Sequence, residues 1–178
     1  HDLLTVDFTL TLFDACALNP GFEIFEWLNE RDFRVDPDTV EYRTINNHQT
    51  KRQIMPDRYF AIDWQSRSGP VRSRLLLELD NANHANKRFA NEKVLPGLAY
   101  IQSGVYERRF GARASGRWLV VTTSDTRIEY LKNTTERAAG EQARFWYFTT
   151  FERVTAQSVL AEPIWVRGGE TDAVALFS

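Results

Sequence analysis

Three carboxylates stand in a pattern that could bind a divalent metal ion. Pro56-Asp57 lies near the start of one predicted strand, and Glu78-Leu79-Asp80 lies at the end of the next. Alternate side chains of a strand point to the same face, so Glu78 and Asp80 should project together, and an adjacent strand would bring Asp57 beside them. Such a cluster repels itself unless cations neutralise it. Hard oxygen ligands favour Mg²⁺ or Mn²⁺, so the sequence predicts Asp57 and Glu78 as metal ligands, with Asp80 as a further catalytic candidate.

A metal held by these carboxylates could activate water and stabilise the charge that develops on a phosphate during hydrolysis. Lys87, early in the next predicted helix, is the candidate for a catalytic cation, whereas Arg88 is less suitable because a guanidinium group does not give up a proton. His84 could bind the metal or transfer protons, and His1 could join the site if the first helix packs beside it. In the structural alternative, Asp57 caps a turn, Glu78 pairs with an arginine and Asp80 begins a loop.

A basic stretch follows the acidic residues. Between positions 87 and 117 the sequence has seven basic residues against two acidic ones. Such a patch could contact several DNA phosphates without reading the bases, although the same composition suits a solvated helix face and a loop. The candidate DNA contacts are Lys87, Arg88, Lys93, Arg108, Arg109 and Arg113.

Composition narrows the class of protein. With 178 residues, of which 43% are hydrophobic and 26% are charged, the chain is typical of one globular domain over 1–178. The net charge is -2, so any contact with DNA requires a local basic patch. Cys16 is the one cysteine of the sequence, which excludes an internal disulfide. Without a signal peptide or an apolar run of about 20 residues, we expect a cytoplasmic protein that does not enter membranes.

Hydrophobic periodicity predicts the elements that must position these residues. A first helix is indicated by apolar residues at helical spacing, namely Leu3, Val6, Leu10, Phe13 and Ala17. Strands are predicted at 22–28, 54–64, 72–80, 118–123, 145–150 and 164–167, with a short candidate strand at 40–45. Further helices are predicted at 86–110, with an interruption at Pro96-Gly97, and from the Ser124-Asp125 cap to Ala139. The order predicts an α/β domain with a mixed central sheet flanked by helices.

The acidic residues resemble the PD-(D/E)xK nuclease motif, with Pro56-Asp57 as its first part and Glu78-Leu79-Asp80 as its second. The order of helix, three strands, helix, strand, helix and strand is also similar to that of the restriction-endonuclease-like core. The third catalytic position of the motif should be lysine, and here it is Asp80. The resemblance implies a metal-dependent nuclease core, and this departure places its activity in question.

A broader resemblance, to replication-relaxation proteins of plasmids and mobile elements, covers most of 1–151. The segments that carry it are His1-Asp2-Leu3, Val6-Asp7-Phe8, 56–59, 76–80, 100–106, 119–124 and 145–150. The family usually has an Arg-Gly-Thr-like turn after its acidic strand, where this chain has Asn81-Ala82-Asn83-His84. Members typically have a winged helix-turn-helix before this region. The resemblance therefore implies that the chain is a fragment without that domain.

The resemblance also implies a role with DNA in plasmid or mobile-element replication or transfer. Within that role, one hypothesis is an active nuclease that uses Mg²⁺ or Mn²⁺, with Lys87 or a water molecule supplying the missing acid or base. A second is an inactive core that acts as a binding or assembly module, and the missing lysine favours it. A third hypothesis, from a different class, is a protein-interaction module that recruits replication or mobilisation machinery without contacting DNA.

Overall fold

The structure, a computed structural model, describes residues 2–82 and 86–178, apart from the side chains of Asn86 and Lys87. The strands are β1 (Phe22–Asn29), β2 (Asp38–Arg43), β3 (Gln49–Ile54), β4 (Arg58–Ser66), β5 (Gly69–Leu79), β6 (Gly116–Thr122), β7 (Trp146–Thr150), β8 (Trp165–Arg167) and β9 (Ala173–Val174). The helices are α1 (Asp2–Leu18), α2 (Glu30–Val35), α3 (Asn86–Phe89), α4 (Leu95–Ile101), α5 (Gly104–Phe110) and α6 (Asp125–Ala139), with a π-helical turn at Ala90–Val94 between α3 and α4.

One mixed sheet organises the described residues. Its strand order is β1-β4-β5-β6-β7-β8-β9, while β2 and β3 form a separate hairpin. The pairs β1–β4 and β4–β5 are antiparallel, and β5, β6 and β7 run parallel. Leu75, Leu76 and Leu77 of β5 are fully buried, as expected for a central strand covered on both faces. The predicted α/β class with a mixed, helix-covered sheet is confirmed.

Two hydrophobic layers cover the sheet, and they fix the direction of the site residues. Leu76 belongs to the layer that contains the hairpin, α4, α5 and α6. Leu75, Leu77 and Leu79 belong to the opposite layer, beneath α1 and the C-terminal segment. Glu78 lies between Leu77 and Leu79 in sequence, so strand alternation directs it to the first layer. This confirms the predicted alternation along β5.

Several predicted elements are confirmed and others are corrected. The predicted first helix is α1, and Ser124 caps α6 as predicted by accepting a hydrogen bond from the Arg127 backbone N–H. The predicted strand at 54–64 was wrong at its start, because Ile54 ends β3 and β4 begins only at Arg58. The predicted helix at 86–110 is divided into α3, the π-helical turn, α4 and α5. The sequence analysis did not predict α2, β3 or β9.

Candidate functional site

Asp57 is held against the end of β5 by the backbone. Its N–H donates to the Leu77 carbonyl oxygen at 2.9 Å, and the Leu79 N–H donates to Asp57 Oδ2 at 2.7 Å. The first bond extends the backbone pairing of β4 and β5 beyond Arg58, and the second fixes the Asp57 side chain against β5. The side chain is 8% exposed, and burial raises its pKa, although the Leu79 N–H and the charge of Lys93 oppose that rise. The structure thus brings Asp57 beside Glu78, as the sequence predicted.

Glu78 is buried beside Lys93 and has a raised pKa. Burial raises its pKa to about 7, and the charges of Asp57 and Asp80 add to this effect while Lys93 opposes it. Lys93 Nζ lies 2.6 Å from Glu78 Oε1. The other oxygen, Oε2, is buried and receives no hydrogen bond from any described residue. A buried carboxylate oxygen without a donor is rare in proteins, and it is suited to binding a cation.

Lys93 reaches Glu78 from the π-helical turn. In this turn the Leu95 N–H donates to the Ala90 carbonyl oxygen, five residues earlier. Pro96 follows, and its ring would clash with a carbonyl oxygen of a regular α-helix; a π-helical turn is one way in which a helix accommodates an irregularity, and such turns are frequent at functional sites. Burial alone would lower the pKa of Lys93, but the charges of Glu78 and Asp57 raise it. Lys93 therefore stays protonated beside Glu78.

A small cleft of about 120 Å³ opens beside Glu78 and Lys93. Arg52 of the β2–β3 hairpin and Glu92 of the π-helical turn also line it. Glu92 accepts hydrogen bonds from Arg52 at 3.2 Å and from Arg88 at 3.0 Å. The Glu92 carboxylate thus holds two guanidinium groups near the cleft, where a phosphate group could approach them.

Asp80 lies on the same side of the sheet but has a different environment. Arg127 donates to both of its carboxylate oxygens, at 2.8 and 2.9 Å, and the Thr122 hydroxyl donates to Oδ2 at 2.8 Å. Burial alone would raise the pKa of Asp80, but the hydrogen bonds from Arg127 and Thr122 outweigh it and lower the pKa. Asp80 is thus an ionised partner of Arg127. The structural alternative predicts an arginine beside Glu78, which pairs with Lys93 instead.

The other candidate residues are not brought together at the cleft. Arg109 is 15% exposed at its side chain and pairs with Asp38 of the hairpin at 2.6 Å, so it joins α5 to β2. Arg113 pairs with Glu107, and Arg108 lies exposed on α5. The predicted basic stretch is therefore divided among several ion pairs. The candidates His1 and His84, and the side chain of Lys87, lie outside the described residues.

The carboxyl groups of Asp57 and Glu78 are the candidate metal ligands that the structure places together at the end of β5. In the described residues, no three His, Cys, Asp and Glu side chains form a group that could hold a metal ion. Magnesium sites in phosphoryl-processing proteins commonly use one or two carboxylates, with water and substrate phosphate as the remaining ligands. Asp57 and Glu78 would be the two carboxylates of such a site. The Glu78 Oε2 atom accepts no hydrogen bond from the described residues, so it is available as a ligand.

Comparison with known proteins assigns no family: no protein-family model matches the chain, and no curated protein or solved structure is significantly similar to it. The described helices include none with the length and apolar character needed to cross a membrane. Inference about function therefore depends on the sequence motifs and on the geometry of the site.

Proposed function

We propose that this chain is a divalent-metal-dependent nuclease domain that acts on DNA, with a restriction-endonuclease-like core. The observation that carries the proposal is the placement of Asp57, Glu78 and Lys93 at the end of β5. Asp57 accepts a hydrogen bond from the Leu79 N–H, and Glu78 and Lys93 form an ion pair that lines a cleft. The role in plasmid or mobile-element replication or transfer is proposed from the sequence resemblance alone.

Asp57 and Glu78 would hold Mg²⁺ or Mn²⁺ in this proposal. Glu78 would contribute Oε2, which is buried and receives no hydrogen bond from the described residues. When bound, the metal would supply an activated water and would stabilise the charge on the phosphate. The backbone holds Asp57 in place through the Leu79 N–H, so the arrangement of the two carboxyl groups is set before any ligand arrives.

Lys93 would take the place of the lysine that the nuclease motif has at the position of Asp80. It comes from the helix after β5, as was expected of Lys87, but one helical segment later. Its ammonium group lies within hydrogen-bond distance of Glu78 and is next to the cleft. From there it can hold the attacking water or stabilise a negatively charged phosphate oxygen. A protonated lysine has three donors, so it can contact Glu78 and a phosphate oxygen together.

The test combines calorimetric titration of Mn²⁺ with cleavage of supercoiled DNA. Glu78→Gln and Asp57→Asn should abolish both metal binding and cleavage. Lys93→Met should retain metal binding, because the competing cation is lost, while cleavage falls roughly 100-fold or more. Lys132→Met is a matched control, since Lys132 forms a half-buried ion pair with Glu136 on α6; it should cleave like the wild type.

A wild-type chain that neither binds Mn²⁺ nor cleaves DNA would refute the proposal. Cleavage that survives in Lys93→Met to the same extent as in Lys132→Met would refute the role of Lys93. The second candidate function is an inactive binding or assembly module, and the observation in its favour is the direct 2.6 Å ion pair between Lys93 and Glu78. In that case the pair only neutralises a buried charge, and Lys93→Met would change stability alone.

A further inference from the structure

An apolar groove runs along the outer side of α1, on the face of the sheet opposite the candidate site. Its apolar walls are Val6, Leu10 and Phe13 of α1 and Trp27 of β1, Thr9 and Arg58 also line it, and its volume is about 410 Å³. The apolar side chains of the walls are 41–58% exposed. The Phe13 and Trp27 rings meet edge to face with centroids 6.2 Å apart. We call this surface the α1 groove.

The α1 groove exists because α1 is apolar on two sides. Phe8, Leu12 and Ala15 pack against the sheet and are buried. The residues that predicted the helix from sequence, including Leu3, Val6, Leu10 and Phe13, point outward instead. Single exposed apolar residues are ordinary, but a continuous apolar surface indicates a binding surface. The outward residues from position 3 to position 13 span about 15 Å of helix, which matches about three turns of a second helix.

The charge around the α1 groove restricts its occupant. The helix α1 contains three acidic residues and no Lys or Arg, and all three are exposed. They are Asp2, Asp7 and Asp14, whereas Arg58 is the charged residue that lines the groove itself. The whole chain has 22 basic and 24 acidic residues, so this acidic rim is a local feature. A basic partner would gain favourable electrostatic interactions at such a rim.

We infer that the α1 groove binds an amphipathic helix of another protein, with an apolar face flanked by Lys and Arg. Amphipathic helices bind grooves of this kind through apolar residues at spacings of three and four. A second copy of this chain fits poorly, because a two-fold contact would place the same acidic rim against itself. An anionic membrane surface would be repelled for the same reason. The inference does not depend on the proposed nuclease activity.

Two labelled synthetic peptides of about 18 residues, long enough to form helix on their own, provide the test. Both have the same leucine face, and one has Lys flanks where the other has Glu flanks. Fluorescence anisotropy with the full chain should show the Lys-flanked peptide binding at least tenfold more tightly, with affinity that falls as salt rises. Leu10→Asn should weaken this binding about tenfold, whereas Ile45→Asn, at an exposed apolar residue between β2 and β3, should not.

Charge reversal makes the test specific. The double variant Asp7→Lys, Asp14→Lys should prefer the Glu-flanked peptide, because both positions lie on the exposed surface of α1. Leu10, Asp7 and Asp14 are all exposed, so these variants should melt like the wild type. Equal affinity for the two peptides, or no binding of the Lys-flanked one, would overturn the inference. So would a wild-type dimer that Leu10→Asn dissociates, since the occupant would then be a second copy.

Discussion

Replacing Asp80 with asparagine should destabilise the fold strongly, although the side chain keeps its shape. Asp80 is 2% exposed, and its partner Arg127 is 12% exposed at the side chain. The two form a pair with both carboxylate oxygens engaged. Removing one partner of a buried ion pair leaves the other charge uncompensated, which typically costs about 3–5 kcal/mol. For a chain of this length, a loss of about 3 kcal/mol lowers Tm by roughly 6–12 °C.

A double-mutant cycle, with the free energy of unfolding of each variant measured in urea, gives the interaction energy between Asp80 and Arg127. Arg127→Met alone should also be strongly destabilising, because the buried Asp80 carboxylate loses its cationic partner. Of the side-chain donors that the structure describes, Thr122 would remain. The double variant should lose less than the sum of the single losses, by about 1.5 kcal/mol or more. Asp125→Asn is the matched control, because its pair with Arg153 is exposed to solvent and should contribute almost nothing.

The pH dependence of the Asp80→Asn effect follows from the lowered pKa of Asp80. A carboxyl group with a lowered pKa in the folded state stabilises the fold at pH values above its pKa in the unfolded state, and this stabilisation is lost as the pH falls through the folded value. The penalty should therefore be complete at pH 7 and shrink below about pH 4. A loss under about 1 kcal/mol at pH 7, with additive single effects, would refute the assignment of Asp80 as a buried ion-pair partner.

Two further predictions concern packing and capping. Gly97→Ala should cost about 1–3 kcal/mol by urea denaturation, because the new Cβ would lie 2.9 Å from the buried indole ring of Trp118. Gly21→Ala, where no atom lies within 4 Å of the new Cβ, is its control, and an equal loss in both would contradict the packing argument. Ser124→Ala should cost about 1 kcal/mol, because the first turn of α6 loses its side-chain acceptor; unchanged thermal stability would contradict this.

The pair of carboxyl groups could be predicted from the sequence because it depends on local rules. The period of two along β5 fixed the face of Glu78, and a short connection at Ser66–Gly69 made β4 and β5 neighbours, which placed Asp57 beside it. The environment of Asp80 could not be predicted from its local sequence. Its environment is set by Arg127, which is 47 residues away and becomes adjacent only through the parallel pairing of β5 with β6.

Lys93 could not be assigned to the site from the sequence because its position depends on the π-helical turn. The proline and glycine at 96–97 predicted an interruption of the helix. They did not predict that the turn before them would have hydrogen bonds between residues five positions apart. The hairpin was also missed in part. Gln49–Ile54 reads Gln-Thr-Lys-Arg-Gln-Ile, which lacks the alternating apolar residues of a half-buried strand, yet it supplies Arg52 to the cleft.

The candidate site and the α1 groove meet at consecutive residues of the chain. Asp57 faces the site, whereas Arg58 lines the α1 groove and donates to the Asp57 carbonyl oxygen at 2.9 Å. A substitution of Arg58 would disturb both surfaces and could not distinguish them. Leu10 belongs to the α1 groove, whereas Lys93 pairs with Glu78 on the other face of the sheet. Loss of peptide binding in Leu10→Asn with normal cleavage, and the reverse in Lys93→Met, would therefore show two independent functions on one sheet.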